Sequence, residues 1–286
     1  MSIKLRTPVE SDAPAIAKII FDAFAGIANA HNFPLDFPSL DHAIHLTSAF
    51  IVMPGIFGVV AEENGTVLGS NFLDERNPIA GVGPITVDPT HQGRGVGRML
   101  MNAVIERRKS SRGVRLVQDA FNTTSMSLYA SLGFEAREPL ALMRGRCKSA
   151  KTSSSLRPMT ENDLPACAAL CERAHGFSRA GELKDAIKMF RPHVFERAGR
   201  IVAYASSPWM WFLNHGVAET ESDMREMLIA LSAASNDPMM MLVPIREATL
   251  FRWLLAEKMQ VLKPMNLMTL GFYQEPASCW YPSVSF

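Results

Sequence analysis

The chain has 286 residues, 48% of them hydrophobic, enough to bury one large core or two ordinary ones. Its 29 basic and 28 acidic residues leave a net charge of +1, which gives no support to a nucleic-acid or membrane footprint spread over the surface. No run approaches the roughly eighteen apolar residues of a membrane span, and the N-terminal MSIKLRTPVESD lacks the apolar block of a signal peptide. The expected setting is therefore soluble, reducing and cytoplasmic. Cys147, Cys167, Cys171 and Cys279 form no CxxC pair. Cys167 and Cys171, one helical turn apart, read as small buried residues on one helix face, and no metal is expected.

In chain order, the pattern predicts a strand at 3–6, helices at 12–25 and 39–51, and a hairpin at 57–63 and 66–74 turning on Asn64-Gly65. Ile16, Ile19, Ile20, Ala23 and Phe24 give the first helix its apolar stripe. A strand at 82–87, a helix at 97–109, a buried strand at 114–119, a short helix at 124–131 and a last strand pair follow. Strand, loop, helix and strand from Val87 to Asp119 make a parallel crossover, so the class is mixed α/β.

Inside that crossover stands VDPTHQGRGVGRML, with Gly93, Gly95 and Gly97 at alternate positions. Glycines between a strand and a helix start let a backbone approach a phosphate closely. A dinucleotide fingerprint needs a glycine where Arg98 stands, and an acidic residue where Arg112 or Gly113 stands. A triphosphate loop needs a lysine after its last glycine, and there is none. What remains is Q/R-x-x-G-x-G/A, carried by Gln92, Gly95 and Gly97. Thirty residues beyond Gln92 begins Asn122-Thr-Thr-Ser-Met-Ser-Leu-Tyr129, closing on Gly133-Phe134.

In these two signatures, in this order, residues 3–145 resemble the GNAT superfamily of acyl-CoA-dependent N-acetyltransferases. The resemblance implies that acetyl-CoA is the co-substrate. Its pyrophosphate would lie on the backbone of Gln92, Gly93, Arg94, Gly95, Val96, Gly97 and Arg98, its pantetheine along Ile85, Thr86 and Val87 and near Asn122. It also implies that Tyr129 protonates the departing thiolate, although Tyr129 could simply pack, and Asn122 could simply cap the helix after it. The reaction would be direct attack of a primary amine on a thioester. Because an alkylamine is protonated near neutrality, at a pKa of about 10.4 for lysine, a base is needed. Glu75 and Asp74, at the end of the strand before the motif strand, are the first candidates, with a rim salt bridge to Arg76 as the bland alternative. His31, His42 and His45 follow. Asp88 reads as a turn former. Arg107, Arg108, Lys109, Arg112 and Arg115 read as a solvated basic run that complements a helix end, with a phosphate contact as the minor alternative.

The opening LRTPVESDAPA returns 151 residues later as LRPMTENDLPA, identical at six of eleven positions, and Glu62-Glu-Asn-Gly65 is echoed by Glu196-Arg-Ala-Gly199. A polar linker at 148–154 separates a catalytic domain at 1–147 from a degenerate one at 155–286. The resemblance thus implies two tandem GNAT-like domains, each a mixed, centrally splayed sheet flanked by helices. The second copy has no Q/R-x-x-G-x-G, and Glu219, Glu221 and Asp223 sit at its corresponding helix start, where they would repel a phosphate. Leu255 falls at the place of Tyr129. This half is expected neither to bind coenzyme A nor to catalyse, but to pack against the first half, shape the acceptor cleft or assemble a homodimer. Met239–Val243 reads as a buried strand. Trp209, Trp211 and Phe212 read as core or interdomain packing, with a ligand pocket as the alternative. The aromatic tail 279–286 reads as a docked final strand, and tandem relatives that use a C-terminal carboxylate make that of Phe286 a further base candidate. The expected partner is a small-molecule or peptide amine, with no nucleic acid and no membrane. An acyl-CoA-binding sensor or interaction protein without catalysis, and a purely structural module, are the alternatives.

Overall fold

The computed structural model describes residues 3–108 and 111–284. The first half runs β1 (Lys4–Arg6), α1 (Ala13–Ala30), α2 (Leu40–Val52), β2 (Ile56–Glu63), β3 (Thr66–Asp74), β4 (Ile79–Val87), α3 (Val96–Arg107), β5 (Gly113–Asp119), α4 (Thr123–Ser131) and β6 (Glu135–Gly145). The second repeats that order as β7 (Leu156–Pro158), α5 (Leu164–His175), α6 (Ala180–Met189), β8 (His193–Arg197), β9 (Arg200–Ala205), β10 (Gly216–Ala218), α7 (Glu221–Ala234), β11 (Met239–Pro244), α8 (Ala248–Ala256) and β12 (Gln260–Gly271), and adds β13 (Cys279–Tyr281). The repeated sequence motif has one local cause. Arg6 bonds Asp12 at 2.6 Å and Glu62 at 2.6 Å, while Arg157 bonds Asp163 at 2.7 Å and Glu196 at 2.5 Å. The same aspartates accept the backbone N–H of Val9 or Thr160, so one carboxylate starts the helix and ties it to the sheet.

α1 is long and apolar enough to cross a membrane by length and composition, a feature the sequence reading missed because Lys18 and Asp22 interrupt the run. Ile16 and Ile20 are fully buried against Phe50, Val60 and Phe72, and Lys18 and Asp22 pair on the exposed face. In this structure α1 is one layer of the first core.

The two halves do not form separate sheets. One eight-stranded sheet runs β1-β2-β3-β4-β5-β12-β6-β11. Antiparallel β12 lies beside β5, with Leu267 opposite Val117, and β6 lies beside β11, with Ala141 opposite Val243. Each half therefore gives its last strand to the other, and β12 and β6 pair with each other at the centre. The expected last strand pair of the first half is corrected accordingly: that half supplies only β6, which ends at Gly145 just before the linker, and β12 fills the other position. A second, five-stranded sheet, β13-β10-β9-β8-β7, holds the remaining strands of the second half.

Candidate active site

β4 and β5 run parallel and pair only from Ile79–Gly113 to Gly81–Arg115. Beyond Gly81 they part, because β4 shifts register against β3 between Ile85 and Val82, at Gly83-Pro84. The backbone of Val82 to Ile85 on the side of β5 is thus left without a strand partner, free to bond an extended ligand inserted between them. At the far end of β4, Gly93 and Gly95 take positive φ of 78° and 82°, and Gly95 caps α3. A β-carbon at either would meet open space, so only the left-handed backbone requires glycine there. At Gly97 a β-carbon would be in ordinary contact with Leu128 and Val87, so neither space within the protein nor backbone conformation requires glycine there.

The first N–H groups of α3 lack intrahelical partners and carry about half a positive charge. The side chain of Val96 packs into the core, leaving its backbone for this mouth. Gln92 donates to the carbonyl of Val87, Arg94 pairs with Glu63 at 3.1 Å, and Arg98 donates to Ser131 at 2.8 Å, so these side chains brace the loop. Thr86 is buried and Val87 pairs with Gly69, while Ile85 reaches the cavity in the splay.

That cavity measures about 160 Å³. Ile85, Asn122, Ser125 and Tyr129 line one wall. Asn122 accepts from the N–H of Ser125 at 3.1 Å, so it caps α4 and faces the cavity at once. Tyr129 is 6% exposed, and burial raises its phenol well above the ordinary range, keeping it protonated as a donor near neutrality. Phe24, Phe37, Leu46 and Phe50, from α1, α2 and the segment between them, line it as well.

Three charged groups share this cavity region. Lys263 bonds Asp36 at 2.6 Å and Asp119 at 2.7 Å, and all three side chains are at least 92% buried. Asp36 sits between α1 and α2, a segment held over the end of β5 by stacking of Phe33 on Phe121 at 4.2 Å. Asp119 ends β5, and Lys263 arrives on the exchanged strand β12 at a bulge after Val261. Burial raises Asp36 above the usual carboxylate range despite the ammonium beside it. Sequence reading missed this cluster, since 36, 119 and 263 share no spacing.

The sequence-derived base candidates lie elsewhere. Asp74 bonds Arg76 at 2.5 and 2.9 Å and is raised by burial, while Arg76 reaches Asp185 of α6 at 3.1 Å. Glu75 pairs with Arg107 at 2.8 Å and Arg108 at 3.9 Å. Neither acid lines the cavity. Asp88 caps its turn by accepting from Thr90 at 2.8 Å. His31 packs on Phe121, and His42 and His45 are exposed beside a second cavity described below. The basic run also separates. Arg107 and Arg108 serve Glu75, and Arg112 lies over Phe272. Arg115 is 1% exposed over Phe177, its guanidinium lowered to about 9 by burial, which corrects its reading as solvated. Lys109 and the carboxylate of Phe286 lie outside the described residues. Trp211 and Phe212 line the cavity from the second half, whereas Trp209 packs on His193.

In the second half the corresponding splay is closed. β13 pairs with β10 where a ligand would enter, and Gly216 lies so near Tyr281 that a β-carbon would meet the ring at 2.4 Å. Thr220 caps α7 by accepting from Asp223, which Arg197 holds at 2.8 Å, and Glu219 is held by Arg200. In α8 the seventh residue, the helix position of Tyr129, is buried Leu254; Leu255, the sequence-based match, is exposed. Cys167 and Cys171 are buried together in the core below α5. Among the described residues no group of three or more His, Cys, Asp or Glu side chains could hold a metal.

Residues 54–136 match the family model described as an acetyltransferase (GNAT) domain. The mycothiol acetyltransferase of Nocardia farcinica is 40% identical over 63 residues, 21% of this chain and 21% of that protein. An uncharacterized N-acetyltransferase of Methanocaldococcus jannaschii is 36% identical over 89 residues, 28% of this chain and 39% of its own length. The matched stretches thus span well under half of either relative. A crystal structure of a Pyrococcus horikoshii protein superimposes with a TM-score of 0.77 at 16% identity, covering 99% of this chain and 94% of that one. The shared fold therefore includes both halves.

Proposed function

We propose, for a chain that carries an acetyltransferase (GNAT) domain at residues 54–136 and repeats its fold in tandem, that the first half moves an acetyl group from acetyl-CoA to a primary amine. The observation that carries this reading is one cavity holding a buried phenol, an unpaired strand backbone and a buried acidic pair. The pyrophosphate would rest on the N–H groups of residues 93–98, and the pantetheine on Val82 to Ile85. Two carboxylates and one ammonium leave one net negative charge, suited to an incoming ammonium group. Asp36, made more basic by burial, takes the proton from the amine. The amine nitrogen bonds to the thioester carbon, the C–S bond breaks with its electron pair on sulfur, and the phenol of Tyr129 gives that sulfur a proton. The second proton shed by the nitrogen restores the phenol, leaving a neutral amide and free thiol. Four free cysteines support a reducing, cytoplasmic setting.

The test is release of free thiol when the protein meets acetyl-CoA and a panel of amines. Gly95→Glu forces a side chain into left-handed backbone and sets a negative charge at the anion's seat. It is expected to abolish acetyl-CoA binding measured by calorimetry. Saturable binding without thiol release from any amine would instead describe an acyl-CoA sensor.

A further inference from the structure

A second cavity of about 300 Å³ lies where the halves meet, between α2, α6 and residues 210–213. Asp36, Phe37, Leu46, Phe50 and Phe212 line both cavities, so the two adjoin across these residues, among them the carboxylate-bearing residue assigned above as the base. Its walls are apolar from both halves: Ala49 of α2 and Met53 just after it line the cavity with Ala186, Met189 and Phe190 at the end of α6. Two charged groups on these walls are already engaged, Arg76 with Asp74 and Asp185, Glu182 with Arg179 at 2.5 Å. His42 bonds Ser39 at 2.9 Å on the exposed side. Asp36, itself bonded to Lys263 at 2.6 Å, is the charged wall group common to both cavities. At the mouth, Met189 is 51% and Met210 36% exposed, large apolar side chains left in water beside an apolar hollow.

From this geometry we infer that the acceptor is a primary amine on the end of an apolar alkyl or aryl body, and that the second half selects it through Met189, Phe190, Met210 and Phe212. The inference rests on the acetyl-transfer reading above and names the substrate class of that site. An ammonium head at Asp36 is paid for by the negative charge of the buried cluster, while the body removes apolar wall from water. A volume of about 300 Å³ holds roughly ten water-sized groups, the size of a phenethylamine or a hexylamine. Amino sugars and polyamines would bury hydroxyls or further charges against hydrocarbon without partners. A long acyl chain in the same space would lay hydrocarbon on an ionised carboxylate, and so is disfavoured.

The test uses the full chain saturated with coenzyme A. Calorimetric titration of butylamine, hexylamine and phenethylamine, against glucosamine and spermidine, should give at least tenfold tighter binding for hexylamine and phenethylamine than for the two polar amines. Affinity should rise about fourfold per methylene from butylamine to hexylamine, following ~0.8 kcal/mol for each buried methylene. Met189→Glu, a change at an exposed position, should weaken hexylamine and strengthen spermidine while acetyl-CoA binding stays as it was. Equal or tighter binding of glucosamine or spermidine would overturn the inference. So would faster turnover with octanoyl-CoA than with acetyl-CoA, which would make the cavity an acyl site. Thiol release is read separately. Tight apolar amine binding with no thiol release from any amine would sink the acetyl-transfer reading and leave the amine preference standing.

Discussion

On the acetyl-transfer reading proposed above, burial acts in the same chemical direction on two proton carriers of the cavity, with complementary results. It raises the phenol of Tyr129, which keeps its proton to give, and it raises the carboxyl of Asp36, which makes it a better acceptor. Tyr129→Phe is expected to lower kcat by about 10²–10⁴ while the Kd for acetyl-CoA stays within twofold, checked by steady-state rates and titration. An unchanged kcat would remove the phenol from the chemistry. Asp36 must be ionised to accept a proton. Because its pKa lies above the ordinary 3.8, kcat/KM should fall as pH drops through that raised value and reach a plateau above it. In Asp36→Asn that acid limb should vanish and the plateau drop; a limb that survives the substitution assigns it to another group.

At the scale of elements, β12 does more than complete a sheet, since it delivers Lys263 between two carboxylates of the other half. Lys263→Met would leave Asp36 and Asp119 buried together with no cation between them. Removing one partner of a buried ionic cluster costs about 3–5 kcal/mol, to be read as a lower urea midpoint at pH 7. The loss should shrink in acid, where the carboxylates can protonate. The elements most legible in sequence are those whose pattern is local. The stripe of Ile16, Ile19 and Ile20, the Asn64-Gly65 turn and the loop from Gln92 to Gly97 each announce themselves within a few residues. The partner of β6 does not, because a strand edge carries no mark of which distant segment will cover it. Nor do the partners of Asp74 and Glu75: these acids sit in a familiar place, but the arginines that pair with them, Arg76 and Arg107, are visible only once the chain is folded. Trp211 and Phe212 looked like packing because their second role depends on a cavity built mainly by the first half.

For the whole molecule, exchanged strands and a shared cavity mean that each half completes part of its core with residues of the other, Met268 in the first and Ala141 and Met143 in the second. Heat should therefore unfold the chain in one transition, with calorimetric and van't Hoff enthalpies equal. A polypeptide of residues 1–150 alone should fail to bind acetyl-CoA, and adding residues 151–286 should restore binding. Two separate transitions, or binding by the first fragment alone, would contradict that dependence. The duplicated Arg6–Asp12 and Arg157–Asp163 contacts should survive to strong acid. Asp163 is lowered to about 2 by its bond to Arg157, so its stabilisation is complete above about 3.8 and is lost as pH falls from there towards 2.

The insertion of β12 between β5 and β6 also sets a clock on biosynthesis. The ribosome finishes residue 147 long before it delivers residues 260–271, about 120 residues later. At ~5–20 residues per second, that is roughly 6–25 s during which the bare edge of β5 waits on the nascent chain. Throughout that interval the glycine loop and Tyr129 are already synthesised, but Lys263, Trp211 and Phe212 are wholly or partly still to come. The growing protein therefore meets the chaperone machinery with its shared cavity unfinished, and a transcript cut short within the second half would yield a product that cannot complete it.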